Sequence, residues 1–522
     1  MNKRISYEPP ENAEATGDEK ATDNFGDTAF KQDAETSDAA EDDDETFTDG
    51  RAFTSAQNGR SGGRKTIPVT DIARDYVVTR WLRNGDIRLR FYKGMWYTYT
   101  NGRWKERHKE DIQADLITFL QYTMAEERIS QSVVSDVMLN LKSCNLCYLD
   151  SLRYQVPCFI ETAEPADAWI PTKNFIVNVE ALAGKLNGFG ADISRPVLMD
   201  QTPNLFTVNC LPYEYDETAQ CPKWEKYLGE VQPNHQNREI LQMLMGLALV
   251  PDCRYNVLFF LYGPPGTGKS VFVNVLEKFI GQDNFCSIPL SRLVSRFGLA
   301  PLTEKLLNIV GEMPAMPNNG KISDIEGIVK AITSGDSIHV ERKFLDGHNA
   351  RVKARMVFAT NHLPDFSDQS AGVWERIRII PFNVKFRGTE KQNPNLSQEL
   401  LEELPGIFNW AVRGLAKLRL CKTFPESEEG LEKKKFLQTV CNPEQDFFSE
   451  FIDEVEGGIV EARKLYDDYT TWANENRHRP LREFLFKKAL FSAFPKIQQS
   501  RTRVEVGRQV TVYHNIQQTI ML

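Results

Sequence analysis

The chain has 522 residues, 41% of them hydrophobic, and a formal charge of −9 from 63 Lys/Arg against 72 Asp/Glu. That length exceeds one compact core and implies roughly two to four domains. Its most apolar central run, Val257–Tyr262, is six residues, far short of the about twenty a bilayer requires. The N-terminus lacks the apolar segment of a secretory signal, so a cytoplasmic protein with no membrane partner is expected.

The charge is unevenly placed. Residues 1–50 hold 16 acidic and 4 basic side chains, 4 − 16 = −12, which leaves the other 472 residues at +3. This acidic stretch is poor in aliphatics and reads as a disordered tail. Residues 51–65, rich in Gly, Ser and Arg, read as a linker. An N-terminal α+β domain is predicted over 66–223. It opens with an aromatic meander, IRLRFY (87–92), MWYTYT (95–100) and RWKE (103–106), in which Asn101-Gly102 signals a two-residue hairpin. Trp96, Tyr97, Tyr99 and Trp104 among arginines and lysines either stack on single-stranded bases or fill a small core. The core is the favoured reading. Cys144 and Cys147 have zinc-knuckle spacing, but no second pair follows at a matching distance. Two buried thiols are favoured there.

From Trp224 to about 425 the pattern turns α/β, with an apolar strand 257–262, a glycine loop and a helix to 280. Gly263-Pro264-Pro265-Gly266-Thr267-Gly268-Lys269-Ser270 matches the phosphate-loop pattern in the required strand–loop–helix context. The glycines let backbone amides turn toward phosphate oxygens, and the helix N-terminus adds its dipole. Lys269 supplies a cation and Ser270 an oxygen to Mg²⁺. ATP and Mg²⁺ are the predicted cofactors, with ATP hydrolysis the reaction. The strand 306–310 ends at Gly311-Glu312, placing Glu312 where an acid orients water and metal. It acts alone or shares the task with another acid such as Asp336. The strand 355–360 ends at Asn361, an amide able to report the γ-phosphate. In WERIRIIPF, Arg376 is the candidate finger for a neighbouring subunit, and Arg378 the candidate for simple pairing on the sheet. Ahead of these strands, 337–354 reads as a hairpin that turns at Asp346-Gly347 and presents Lys343, His348, Arg351 and Lys353 near its tip to DNA phosphates.

Residues 443–522 begin with helices and end with two strands around Gly507-Arg508. Arg477–Leu522 carries nine Lys/Arg and two Glu, 9 − 2 = +7. Lys487 and Lys488 on a helix, with Arg501, Arg503 and Arg508 on the strands, suit a winged helix on DNA phosphates. A protein-binding winged helix remains open.

The ordered set GPPGTGKS, NIVGE, KAITSGDSIHVERKF, VFATNHLP and WERIRIIPF resembles the superfamily 3 helicases. It is most similar to the helicase portion of phage and plasmid primase-helicases, a group with satellite-phage and poxvirus-like members. The likeness extends to LPYEYDETAQCPKWEKYLGEV (211–231), and to EARKLYDDYTTWANENRHRPL (461–481) with VEVGRQVTVYHNI (504–516). The resemblance implies an AAA+ core in a ring of six, translocating on single-stranded DNA to unwind forked duplex during replication. It also implies that Lys269 and Ser270 grip nucleotide, Glu312 is the Walker B acid, Asn361 the sensor, Arg376 the finger and Lys343 the pore cation. Gly311 departs from the usual paired acids. No acid pair outside the tail suits a primase, so a separate primase or polymerase is a candidate partner. The rival readings are an AAA+ initiator or loader without processive unwinding, and a DNA-binding scaffold whose assembly ATP controls.

Overall fold

The computed structural model describes residues 67–124, 129–188, 196–313, 322–343, 347–364, 366, 372–386, 388, 393, 395–478, 480–505 and 508–519. The chain divides between Lys65 and Thr66, and every described residue belongs to the second unit. The acidic tail and linker, Asp346 of the hairpin turn and Gly507 lie outside the described residues.

The N-terminal region builds helix α1 (Val69–Tyr76), strands β1 (Leu89–Tyr92), β2 (Met95–Thr100) and β3 (Arg103–Arg107), helices α2 (Lys109–Thr123) and α3 (Gln131–Ser143), and β4 (Tyr148–Leu149). The sheet runs β3-β2-β1-β4. Asn101 (φ 49°) and Gly102 (φ 74°) make the tight turn whose twist matches paired strands. The meander aromatics are core. Trp96, Tyr97 and Trp104 are at most 2% exposed, and Trp104 Nε1 donates to the Leu205 carbonyl at 3.1 Å.

Helix α4 (Val179–Asn187) leads to α5 (Pro222–Val231) and α6 (His235–Leu247). The central α/β region follows: β5 (Leu258–Tyr262), α7 (Lys269–Ile280), β6 (Phe285–Cys286), β7 (Leu307–Val310), α8 (Ile322–Ser334), the hairpin β8 (Ser337–Val340) and β9 (His348–Arg351), β10 (Arg355–Thr360) and β11 (Ile377–Pro381). Five strands are parallel, in the order β6-β7-β10-β5-β11. Phe259 and Leu261 face one apolar core, and Leu258 and Phe260 the other. Burial on both faces is why β5 reads as an unbroken apolar run rather than an alternating one.

Two features depart from the sequence reading. Packing does not break near 224, because Ile170, Val177, Leu182 and Tyr213 share one core with Phe272 and Phe279 of α7. The interval 426–442, unassigned from sequence, is largely helix α10 (Glu428–Cys441), which follows α9 (Leu404–Leu420) and packs on β11.

A charged cluster fastens α4 to α9. Arg419 pairs with Glu180 and, at 2.9 Å, with Asp252, which also holds Arg254 at 2.7 Å. The Arg419 and Asp252 side chains are 14% and 12% exposed. Arg419→Ala leaves Glu180 and Asp252 only the more exposed Arg254 as a partner and is expected to cost about 2 kcal/mol of stability, read by urea unfolding. A loss under about 0.5 kcal/mol would place the cluster with ordinary surface pairs.

The C-terminal elements are α11 (Glu444–Phe451), β12 (Ile452–Glu461), α12 (Ala462–Glu475), α13 (Glu483–Ala493), β13 (Gln498–Glu505) and β14 (Arg508–Gln518). They form the antiparallel sheet β12-β14-β13 over a core of its own that includes Phe447, Tyr469, Phe486 and Leu490. Strand β12 is absent from the sequence reading, which sees only the two later strands.

Candidate active site

Parallel strands end on one edge of their sheet, and there β5, β7 and β10 deliver Gly263, Gly311-Glu312 and Asn361. A Cβ at Gly263 would meet the Phe382 carbonyl oxygen at 2.1 Å, so no other residue fits. Gly268 caps α7 at φ 91°, a conformation that favours glycine. Between them Thr267 Oγ1 donates to the Pro264 carbonyl at 2.9 Å. Lys269 Nζ donates to the carbonyls of Gly263 and Pro264 at 2.5 and 2.9 Å. Burial lowers the Lys269 pKa, and the Glu312 carboxylate opposes that shift.

These groups line one cavity of about 430 Å³, large enough for a nucleotide-sized ligand. Its polar wall holds Pro265, Gly266, Thr267, Gly268, Lys269, Ser270, Glu312, Thr360 and Asn361. Tyr227, Val231, Phe386 and Leu396 form a more apolar end, with Glu230 beside them. Gly263 and Pro264 are not in the lining. Asp336, the other candidate acid, is not there either; it follows α8, its N–H bonded to the Ala331 carbonyl. A Cβ at Gly311 would meet only Val273 Cγ1, at 3.6 Å, so space does not demand glycine at that position.

The lead-in helix reaches the loop directly. Tyr227 Oη donates to the Gly268 carbonyl at 2.9 Å, and a Gly268 Cβ would stand 2.8 Å from Val231 Cγ1. Sequence reasoning missed both residues, since an apolar helix position carries no sign of which loop it will meet. Tyr227→Phe removes one hydrogen bond that holds the loop and is expected to raise KM for ATP about fivefold with little change in stability. An unchanged KM would show that the loop needs no support from α5.

The two arginines of β11 and its approach differ. Arg378 is 8% exposed and pairs with Glu426 at 2.8 Å, as does Lys434. Arg376 lies outside the cavity lining, and its guanidinium donates to Thr333 Oγ1 and Ser334 Oγ, both at 3.1 Å.

In the hairpin, Val340 pairs with His348 and Ser337 with Arg351. Lys343 and His348 therefore sit toward the tip, and Arg351 at the base. Arg351 and Lys353 correct the expectation of a cluster at the tip. Lys353 follows the strand and its Nζ pairs with Asp167 at 2.9 Å, an acid 186 residues away that sequence cannot align with it. Burial lowers the His348 pKa, as do Lys93, Arg342 and His339. Lys93 and Arg342 are further cations here that the sequence reading did not single out. In the C-terminal unit, Lys488, Arg501 and Arg503 are exposed and Lys487 is half-buried; Arg508 opens β14.

The cysteine pair closes α3. The Cys147 thiol hydrogen-bonds Cys144, lowering the Cys144 pKa to about 6, while Cys147 is pushed up. No group of three or more His, Cys, Asp or Glu able to hold a metal occurs among the described residues. Cys144 is therefore expected to be alkylated by iodoacetamide at pH 7 ahead of Cys158 and Cys286, whose thiols burial raises to about 11 and about 12. Its rate should fall as pH drops through about 6, because thiolate is the nucleophile. Mass spectrometry of the labelled peptides reads the order, and equal labelling would contradict it.

Comparison with known proteins bears on this arrangement. A model described as "D5 N terminal like" matches residues 75–233, and a family of unknown function (DUF5906) matches residues 261–376, the span from β5 through Arg376. The Acanthamoeba polyphaga mimivirus protein named "Putative helicase L207/L206" is 24% identical over 334 residues, 58% of this chain and 34% of its own. These matches support a phage or viral primase-helicase family. A second similar protein, "Putative helicase 121R" of Invertebrate iridescent virus 3, is 29% identical over 156 residues, 29% of this chain and 16% of its own. The chain thus spans about a third of one of these relatives and about a sixth of the other. Among solved structures, the apo NrS-1 C terminal region is similar over 83% of this chain and 95% of that one, at 13% identity and a TM-score of 0.48. Among the described residues no helix is long and apolar enough to cross a membrane.

Proposed function

We propose that the chain is an ATP-dependent DNA helicase, working as a ring of six on single-stranded DNA to unwind forks during replication of a phage, plasmid or other mobile element. One observation carries this: Lys269, Ser270, Glu312 and Asn361 reach a single cavity from two strand ends and the helix after the loop. The loop amides cradle phosphates, Lys269 offsets their charge, Glu312 orients the attacking water and accepts its proton, and Asn361 contacts the γ-phosphate. The Ser270 hydroxyl and Glu312 carboxylate form an oxygen donor set that suits Mg²⁺, so these two would hold it. Bound Mg²⁺ neutralises charge between the β- and γ-phosphates.

The strand order β6-β7-β10-β5-β11 supports an AAA+ core. The helix–strand–helix–helix–strand–strand order of the C-terminal unit, with arginines on its last two strands, supports a DNA-binding winged helix. An arginine outside its own subunit's cavity supports service to a neighbour in a ring. Lys343 and His348 on the hairpin supply contacts to single-stranded DNA, and a separate primase or polymerase supplies primers.

Steady-state ATP hydrolysis with and without single-stranded DNA tests the reading. Mg²⁺-dependent turnover stimulated at least about tenfold by DNA is expected. Turnover indifferent to DNA would contradict a translocating motor.

A further inference from the structure

The C-terminal unit presents an aromatic ring that its core does not use. On α13, Phe486, Ala489 and Leu490 are buried, whereas Phe484 is 75% exposed and Leu485 40% exposed. The helix is anchored by Phe491, whose ring lies 5.6 Å from that of Tyr513 on β14. Phe484 therefore projects from a fixed element. A helix turn brings residues four apart together, so Lys488 is its neighbour on the outer face, and Arg482 directly precedes the helix; both are exposed. Arg501 and Arg503 are exposed on β13 of the same unit. Glu483 is the acid beside Phe484.

An exposed ring among cations fits two kinds of partner. A protein partner would bring an apolar pocket with an acidic rim. A nucleic acid brings phosphates for the cations and a π-face for the ring. Residues 444–476 of the unit hold ten acidic and two basic side chains, but the stretch from Arg477 to Leu522, which builds α13, β13 and β14, holds nine basic against two acidic, and this local excess around Phe484 favours nucleic acid. The two chemistries act on different strands. Lysine and arginine hold phosphates whether bases are paired or not. A ring can stack only on a base whose face is open, and duplex bases cover one another.

We infer that Phe484 is a base-stacking contact for unpaired nucleotides, which makes the C-terminal unit prefer single-stranded or junction DNA over continuous duplex. This rests on the DNA-binding reading of that unit and adds the strand state it selects.

Fluorescence anisotropy with the full chain, without nucleotide, on an oligothymidylate and on a blunt duplex tests it. Phe484→Ala is expected to weaken single-strand binding about tenfold and duplex binding less than about twofold. The slope of log affinity against log salt should stay unchanged, because no phosphate contact is lost. Phe484→Trp should restore binding and Phe484→Leu should not, which separates stacking from apolar bulk. Lys488→Ala should weaken both DNAs and reduce the salt slope by about one. Unchanged single-strand affinity in Phe484→Ala, or equal weakening on both DNAs, overturns the inference. Unchanged binding of both DNAs by the Lys488, Arg501 and Arg503 triple alanine variant overturns instead the DNA-binding reading of the unit.

Discussion

Lys269→Ala is expected to lower ATP turnover by about 10²–10³-fold, the scale for losing one preorganised group that offsets transition-state charge. Among the described residues the Lys269 ammonium bonds only the carbonyls of Gly263 and Pro264 and the Thr267 hydroxyl, so the fold should survive and the melting temperature should move little. Glu312→Gln should lower kcat on a similar scale while ATP still binds, because the amide keeps the shape but not the base. Together the two variants separate grip from hydrolysis. Substantial turnover in Glu312→Gln would move the catalytic acid elsewhere, and Glu230, also in the cavity lining, would be the first alternative.

The second large effect concerns Arg376. Removal of a finger that serves a neighbouring site should lower turnover about 10³-fold, although the residue lies outside the lining of the phosphate-loop cavity in its own subunit. Its bonds to Thr333 and Ser334 also give it a structural role, so a simple loss of activity does not decide the matter. Mixing does. When Arg376→Ala and Lys269→Ala subunits are combined in equal amounts, about a quarter of the interfaces in a closed ring pair an intact lysine with an intact arginine. Activity should return in that proportion. Inactivity at every ratio, with mixed oligomers shown to form, would leave Arg376 as a support for the end of α8.

The strand, loop and helix beside the cavity were legible where local chemistry dictates local shape. A buried parallel strand, a glycine loop and a helix must occur together for a phosphate loop to work, and Val257–Ile280 announces all three. The Asn101-Gly102 turn was equally legible, since only left-handed residues close it. Strand β12 was hidden because its sequence, IDEVEGGIVE, is acidic and broken by two glycines, and its pairing partner β14 lies about 60 residues later. The pairing of Lys353 with Asp167 and the hold of Tyr227 on Gly268 were illegible for a related reason. Each is created by tertiary packing between segments whose own patterns have no periodicity in common. The same holds for the lack of a packing break near 224. A change from loop to α/β pattern marks where elements change, not where a core ends.

The −9 of the whole chain now divides into an acidic first 50 residues and a body near neutrality, with basic groups exposed on β13 and α13. Charge alone therefore does not argue against DNA. The decisive measurement is ATP-dependent strand separation on a forked duplex by the intact chain. Unwinding that requires hydrolysable ATP and Mg²⁺, and is abolished in Lys269→Ala, is predicted. DNA-stimulated ATP hydrolysis with no strand separation at any protein concentration would contradict a helicase and point to a loader that assembles on DNA without opening it.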